Sequence, residues 1–221
     1  MSRLPPGQSA RSDFPRFGLP RYAARSPRSP LSRTLSVSRG EAPAIQLIEP
    51  LGGLARIQLQ SDFHCVTTWS SLNLSWSGVR FVDLYEAKIA PQLDANATAT
   101  HAVIRGQDGY RTTLPLKDLL ASDVILADQL GDEPLSIAHG APWRLVAPRH
   151  YGYKSVKHLS RIELWSTEPD VRPAAFRFMD HPRARVSQEE RGRWVPGWLL
   201  RYLYRPLVAG TIRRFASEPR A

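Results

Sequence analysis

Alternation of apolar and polar side chains predicts two half-buried strands in the first third of the chain. In residues 34–38, Leu35 and Val37 alternate with polar neighbours, and Gly40 then ends the run. In residues 55–60, apolar side chains alternate with Arg and Gln. The second strand leads towards Cys65, which places this side chain just past a strand, where it can be aimed into a cleft. Further short runs rich in strand-forming residues occur at 102–104, 124–126, 143–146 and 162–165.

Helical spacing occurs in two short segments. Phe81, Leu84, Tyr85 and Ile89 predict a helix over residues 82–90 that Pro91 ends. Residues 116–122 predict a second helix, because a proline directly before them suits a first helical turn. An Asp-Gly turn lies within 106–110. Short strands mixed with short helices, without a βαβ repeat, predict an α+β fold.

Composition divides the chain into a body and two basic ends. The 221 residues carry a net charge of +10, but residues 41–170 contain more acids than bases. We predict a disordered tail over 1–15, an extended linker over 24–32, a body domain over 16–168 and a basic, aromatic extension over 169–221. Arg-rich ends are typical of nucleic-acid or anionic-lipid binding, and equally of solvated tails. No nucleic-acid partner is expected, because the body lacks the matching charge.

Residues 194–217 of the extension mix Trp, Tyr and Leu with Arg, and Pro196 and Pro206 interrupt them. Such a segment either lies on a membrane or a partner, or packs back on its own domain. Its longest uncharged stretch is shorter than the ~20 residues that span a bilayer. The N-terminal residues hold no apolar run, which predicts a cytoplasmic protein without a secretory signal.

Cys65 is the single cysteine, which excludes an intramolecular disulfide and a multi-cysteine zinc site. Its thiolate is a soft metal ligand and a strong nucleophile, whereas a lone cysteine is also often an inert, buried thiol. Candidate anion-binding loops lie at 108–110, 135–148 and 151–158. There Arg144 offers a planar fork for a phosphate and Lys157 a point charge. A lone His such as His139 is more often a satisfied core residue than a ligand.

The order of these segments resembles a known family. It runs Arg16-Phe17-Gly18-Leu19-Pro20, Phe63-His64-Cys65-Val66, Asp108, His139-Gly140-Ala141-Pro142-Trp143-Arg144 and Tyr151-Gly152-Tyr153-Lys154-Ser155-Val156-Lys157. In this order the segments resemble the molybdopterin-binding domain of the sulfite oxidase superfamily over roughly 16–165. Trp69-Ser70 and the Tyr-Gly-x-Lys pattern are closer to the protein-methionine-sulfoxide reductase branch. The resemblance implies a sulfite-oxidase-type molybdopterin-binding fold with mixed short sheets and peripheral helices.

The resemblance also implies a cofactor, molybdenum-molybdopterin, and roles for named residues. Cys65 would be the metal ligand and the catalytic residue. The implied cofactor-binding residues are Arg16, Phe17, Gly18, Leu19, Pro20, His64, Asp108, His139, Arg144, Ser155, Val156 and Lys157.

Two departures from sulfite oxidases shape the functional expectation. Trp69 stands where they place a substrate-binding Arg after the metal cysteine, and residues 167–185 contain no Tyr to approach the metal. We therefore expect two-electron oxygen-atom transfer on a small-molecule or sulfoxide-type substrate, a separate electron-transfer partner, and no sulfite oxidase activity. A basic nucleic-acid- or anion-binding module without catalysis, and a carrier that holds the pterin without turnover, are the alternatives.

Overall fold

A computed structural model describes residues 4–25, 27, 31–93, 98–171 and 174–217. The strands in chain order are β1 (Ser9–Arg11), β2 (Thr34–Arg39), β3 (Ile45–Ile48), β4 (Arg56–His64), β5 (Trp69–Arg80), β6 (His101–Gly106), β7 (Arg111–Pro115), β8 (Ile125–Leu130), β9 (Glu133–Pro134), β10 (Arg144–Val146) and β11 (Leu159–Trp165). The α-helices are α1 (Phe81–Leu84), α2 (Leu116–Leu119), α3 (Gly197–Tyr204) and α4 (Leu207–Ser217).

The strands form two mixed sheets. In the first, the path runs β1-β5-β8-β10, while β4 also pairs with β5 and β9 with β8. In the second, the order is β3-β2-β11-β6-β7. Each sheet has one parallel pair, β1 with β5 and β11 with β2, among antiparallel neighbours. The predicted α+β class with mixed short sheets is confirmed.

The main core is apolar and draws on both sheets. Leu35 and Val37 of β2 are fully buried, as the alternation predicts, and they pack in one cluster with Val79, Ile104 and Leu126. A smaller cluster centres on Trp76. Burial of this apolar surface is the dominant favourable contribution to folding and fixes the strands whose ends and loops build the site.

The predicted elements have the expected type with shifted ends. Residues 82–90 are helical, but as α1, then a π-helical turn at Tyr85–Ile89 and a 3₁₀ turn at Ala90–Gln92, the turn that holds Pro91. The helix predicted over 116–122 is α2, with Pro115 at its N-cap. Five strands were absent from the prediction, namely β1, β3, β5, β7 and the short β9. In β5 and β7 buried positions are partly polar, as at Ser70, Ser71 and Thr112, so hydropathy does not follow burial there.

The expected disordered tail is wrong for its described part. Ser9–Arg11 forms β1, which pairs in parallel with the start of β5. The side chain of Gln8 also bonds to the β4–β5 turn, so tertiary hydrogen bonds outweigh the polar composition that predicted disorder. Much of the predicted linker, residues 26 and 28–30, lies outside the described residues, and the domain limits 16–168 and 169–221 stay predictions.

Candidate molybdopterin site

Cys65 is the first residue of the turn that joins β4 to β5. The Cys65 amide donates to the Trp69 carbonyl over 2.8 Å, and the Thr68 amide donates to the Cys65 carbonyl over 3.2 Å. Thr68 has φ of 82°, a left-handed conformation that is rare for a β-branched residue. The Cys65 thiol lies 3.1 Å from the hydroxyl of Thr67 and is buried, and burial raises its pKa. The turn therefore holds the thiol in a fixed place at a strand end.

Two residues distant in sequence hold this turn, and sequence reasoning missed both. The Gln8 amide donates to the Cys65 carbonyl over 3.0 Å and accepts from the Ser70 hydroxyl over 3.0 Å. Arg191 is fully buried and donates to the carbonyls of Val66, at 2.5 Å, and Pro6, at 2.8 Å. These bonds join segments more than 55 residues apart, and no local pattern in the sequence could have revealed them.

A cavity of about 290 Å³ opens beside the thiol. The predicted residues that line it are Arg16, Phe17, Gly18, Leu19, Pro20, Cys65, Asp108, Arg144, Ser155, Val156 and Lys157. They come from the N-terminal segment, the β4–β5 turn, the β6–β7 turn, the start of β10 and the loop before β11. The structure therefore brings together most of the residues that the motif order selected, although their roles in binding stay predictions.

His64 and His139 are the two predicted residues that are not among those lining the cavity. His64 is buried and its Nδ1 lies 2.8 Å from the Ser70 hydroxyl, which supports the turn from behind. His139 stacks on Phe14 at a centroid distance of 4.9 Å. Burial, followed by the nearby Lys157 and Arg144 charges, lowers the pKa of His139 to about 4, so its ring is neutral at pH 7.

Arg144 is the most unusual charge in the cavity wall. Its side chain is fully buried, and its two Nη atoms donate to the carbonyls of His139, at 3.0 Å, and Ser155, at 3.1 Å. Its Nε has no hydrogen-bond partner among the described residues. Burial lowers the pKa of Arg144 to about 9, which still leaves the guanidinium protonated at pH 7. A buried cation without a carboxylate beside it is costly, and an anion in the cavity would offset that cost.

Lys157 adds a second cation, half-buried, whose Nζ donates to the Ala138 carbonyl over 2.8 Å. Burial, then the charges of Arg144 and Arg16, lowers the pKa of Lys157 to about 7. Asp108 opposes these charges, but its own pKa is raised by burial. The wall therefore concentrates positive charge around one end of the cavity, as a phosphate site requires.

Gly140 allows the two cationic segments to approach each other. Its φ is 113°, and a Cβ at this position would lie 3.0 Å from the Cβ of Arg144 and 3.1 Å from that of Lys157. Only glycine adopts this conformation at such close contact without strain. The His139-Gly140 pair in the motif is thus explained by backbone geometry as well as by resemblance.

Two buried donors point to a ligand. The Nε1 of Trp69 and the Nε of Arg144 belong to side chains at most 3% exposed, both line the cavity, and neither atom has a partner in the described chain. Leaving a buried donor unpaired costs about 1–3 kcal/mol. Both donors would be satisfied by acceptor atoms of a molecule bound in the cavity.

The C-terminal extension forms one wall of the cavity. Tyr204 of α3 and Leu207, Thr211 and Phe215 of α4 line it. The Phe215 ring packs against Gly18, where an added Cβ would lie 3.3 Å from the ring Cζ. The Arg16 guanidinium lies 5.2 Å from the centre of the Phe215 ring. The extension therefore packs back on the body through one side. The sequence alone leaves open whether this segment packs on its own domain or docks on a membrane or partner.

Several other residues line the cavity without having been selected as site residues, among them His158, Tyr110, Tyr153 and Tyr204. His158, Tyr110 and Tyr153 lie within the candidate loops 108–110 and 151–158, and His158 directly follows the predicted Ser155–Lys157 segment. Its Nδ1 lies 2.6 Å from the Ala141 carbonyl, and burial lowers its pKa to about 4. Tyr204 carried no such signal, because it lies outside every motif.

Comparison with known proteins agrees with this geometry. Among curated relatives, the uncharacterized oxidoreductase YuiH of Bacillus subtilis (strain 168) is 36% identical over 121 residues, 55% of this chain and 59% of YuiH. The protein-methionine-sulfoxide reductase catalytic subunit MsrP of Xanthomonas axonopodis pv. citri (strain 306) is 28% identical over 171 residues, 67% of this chain and 52% of MsrP. The mitochondrial sulfite oxidase of Drosophila melanogaster is 36% identical over 107 residues, 44% of this chain and 18% of that protein.

This chain therefore spans less than two thirds of each of these relatives. Among solved structures, the sulfane dehydrogenase SoxCD from Paracoccus pantotrophus superposes with a TM-score of 0.50 at 21% identity, over 62% of this chain and 40% of that one, which shows the shared fold. The model of the oxidoreductase molybdopterin binding domain matches residues 34–172, more than half of the sequence. The chain belongs to the oxidoreductase molybdopterin binding domain family.

Proposed function

We propose that this protein is a molybdenum-cofactor-dependent oxidoreductase with Cys65 as the metal ligand. It transfers an oxygen atom, with two electrons, to or from a sulfoxide-type or other weakly charged substrate, and it is not a sulfite oxidase. One observation carries the proposal: a buried thiol lines the same cavity as Arg144, a buried cation with no carboxylate partner among the described residues, and as Lys157.

The residues that line the cavity fit both ends of the cofactor, the metal and the phosphate. A thiolate is among the ligands that a soft transition-metal site prefers. Arg144, with its unpartnered Nε, together with Lys157 and Arg16, suits a phosphate, which accepts several charge-assisted hydrogen bonds. When bound, molybdenum-molybdopterin supplies the two-electron redox chemistry. The chain itself supplies the thiol, the shape of the substrate space and the cations Arg16, Arg144 and Lys157, which we call the anion cradle.

The residues around Cys65 fix its position. Gln8 and Arg191 hold the carbonyls of Cys65 and Val66, so the turn cannot swing the thiol out of the cavity without breaking both bonds. Such preorganisation by residues behind the reacting group is what keeps a ligand within a fraction of an ångström of its working position.

Trp69 supports a weakly charged substrate. Its indole presents one unpartnered N–H and an apolar face, and it packs at 5.4 Å from Phe17 and 6.2 Å from Phe63 between ring centres. Arg191, the buried cation at this turn, has its charge matched by Glu189 at 3.2 Å. A sulfoxide or thioether suits this lining, because one N–H can donate to a sulfoxide oxygen while the rings contact the alkyl groups. Sulfite is a strongly hydrated anion and would need an unmatched cation there.

A separate electron-transfer partner and a cytoplasmic location are part of the proposal. The two alternatives from the sequence, an anion-binding module without catalysis and a pterin carrier, differ from it in measurable ways. The first would contain no molybdenum, and the second would contain it without turning over.

Dye-linked assays test the proposal. Reduction of a sulfoxide consumes two electrons from a reduced dye and two protons, and releases the thioether and water. We expect turnover with methyl sulfoxides, weak or absent oxidation of sulfite with an oxidised dye, and no activity in a Cys65→Ser variant that still retains the pterin. Sulfite oxidation faster than sulfoxide reduction would overturn the substrate assignment, and full activity of Cys65→Ser would overturn the ligand assignment.

A further inference from the structure

Helix α3 is apolar on two opposite sides. Leu200 and Tyr204 are buried against the body. Trp198, Leu199, Tyr202 and Leu203 are 55%, 41%, 62% and 58% exposed. At 3.6 residues per turn the four exposed residues share the side opposite to the two buried ones. A helix that is apolar all round is normally covered on both sides, so this exposed side is expected to meet another apolar environment.

The exposed side continues beyond the helix. Trp194, 73% exposed, precedes α3. We call the set Trp194, Trp198, Leu199, Tyr202 and Leu203 the outer face. Scattered apolar side chains on a surface need no explanation, but a contiguous group with two Trp and one Tyr marks an interaction site.

The outer face belongs to an anchored segment. Arg201 lies 3.6 Å from Glu189, and a Cβ at Gly197 would collide with the Glu189 carbonyl at 1.9 Å, so the start of α3 packs tightly on the chain before it. The far side of the helix reaches the cofactor cavity through Tyr204. The outer face is therefore held in place and is not a fraying end.

The segment that carries the outer face is basic. Between residues 191 and 217 the sequence contains six Arg and no Asp or Glu. Arg205, Arg213 and Arg214 are exposed, and none of them forms a salt bridge with an acid in the described part of the chain. This combination of exposed Trp, Tyr and Leu with unpaired Arg is the composition of helices that lie in the interface of an anionic bilayer.

We propose that the outer face docks on an anionic membrane surface. The Leu and Trp side chains enter the boundary between headgroups and acyl chains, Tyr202 keeps its hydroxyl at the headgroup level, and the Arg side chains contact lipid phosphates. No helix among the described residues is long and apolar enough to cross a bilayer. Docking would place the cavity wall about one helix diameter, ~10 Å, from the lipid surface. The proposal rests on the outer face alone and not on the redox function.

Vesicle sedimentation of the full, cofactor-loaded chain tests it. We expect binding to vesicles that contain phosphatidylglycerol, at least tenfold weaker binding to pure phosphatidylcholine, and weakening of the first by salt. Trp198→Ser with Leu203→Ser should reduce binding at least tenfold. Ile48→Ser is the matched control, since Ile48 is 78% exposed on β3 and outside the outer face, and it should bind as the parent does. All variants should keep the parent melting temperature, because the changed side chains are exposed.

Four results would overturn the proposal. The first is a chain that stays in solution with both kinds of vesicle. The second is self-association that the Trp198→Ser, Leu203→Ser variant abolishes while vesicle binding is absent, which would make a second copy the occupant. The third is binding of single-stranded oligonucleotides through the outer face without vesicle binding. Equal loss in the Ile48→Ser control would likewise contradict a specific face.

Discussion

Replacing Arg144 by Met should leave the cofactor-free protein about as stable as the parent. Arg144 is fully buried, has no carboxylate partner among the described residues, donates to two carbonyls and lies 5.2–5.9 Å from the ring centres of Phe14, Phe63 and Trp76. Burying this cation carries a desolvation cost, and we attribute its presence to its function of holding an anion. Met fills a similar volume without a charge, so the variant removes the cation and keeps the packing.

The magnitude follows from the pKa. Burial lowers the pKa of Arg144 from 12.5 to about 9, and each pKa unit is about 1.4 kcal/mol, so the buried charge costs on the order of 5 kcal/mol. Two hydrogen bonds from a charged group return about 4 kcal/mol together. The contacts of the guanidinium with three aromatic rings return on the order of 1 kcal/mol more. The cost and the returns therefore nearly cancel, and the melting temperature of the variant should stay within roughly 2–4 °C of the parent, the shift that about 1 kcal/mol causes in a chain of this size.

Lys154→Met is the matched control. Lys154 is equally buried, but its Nζ lies 3.3 Å from an Asp180 carboxylate oxygen and 2.8 Å from the Thr113 carbonyl. Removing this cation leaves an unpaired carboxylate, so the variant should melt several degrees below the parent. Both variants would be made in a host that lacks the cofactor and compared by thermal unfolding, with and without millimolar phosphate.

Phosphate should raise the melting temperature of the parent and of Lys154→Met, but not of Arg144→Met. A large loss of stability in Arg144→Met, equal to that of Lys154→Met, would show that Arg144 is a structural residue. Undiminished stabilisation by phosphate in Arg144→Met would refute its place in the anion cradle.

Three further predictions concern the same cavity. The pKa of Lys157 is lowered from 10.5 to about 7 in the folded state, so the unfolded chain binds more protons between these two pH values. The stability of the cofactor-free protein should therefore rise with pH from about 7 to 10.5. Urea titrations at several pH values should show that Lys157→Met lacks this part of the rise. Tyr204→Phe removes a buried hydroxyl without a described partner, so the cofactor-free fold should gain up to about 1 kcal/mol while turnover of the loaded enzyme falls; a less stable variant with normal turnover would make the hydroxyl structural. Trp69→Phe removes one donor and keeps the apolar face, so KM for a sulfoxide should rise about tenfold with intact molybdenum content, the size expected for one lost hydrogen bond; an unchanged KM would remove Trp69 from the substrate site.

Part of this molecule could be predicted from sequence because its signals are local. Alternation in residues 34–38 gave β2, and the strand before Cys65 gave β4 and the position of the thiol. The motif order brought Arg16, Arg144 and Lys157 into one hypothesis, and they do line one cavity. The place of Gly140 in the motif is likewise explained by its left-handed backbone conformation.

The remainder depends on contacts between distant segments. The N-terminal segment reads as disordered from composition, yet Gln8 and β1 bind the turn of Cys65 and the start of β5. Arg191 looks like one more Arg of a basic tail, but it is fully buried beneath the same turn. Tyr204 enters the cavity only because α3 folds back. Neither periodicity nor local composition encodes these long-range contacts.

The central claim is that Cys65 and the anion cradle hold a molybdenum cofactor. The metal and pterin content of the purified protein tests this claim most directly. Protein from a host that makes the cofactor should contain close to one molybdenum per chain, and oxidation of the released pterin should give its fluorescence. Arg144→Met should lose both signals, whereas Cys65→Ser should lose activity and keep most of the pterin. A parent protein without molybdenum and without pterin fluorescence, purified from such a host, would contradict the account.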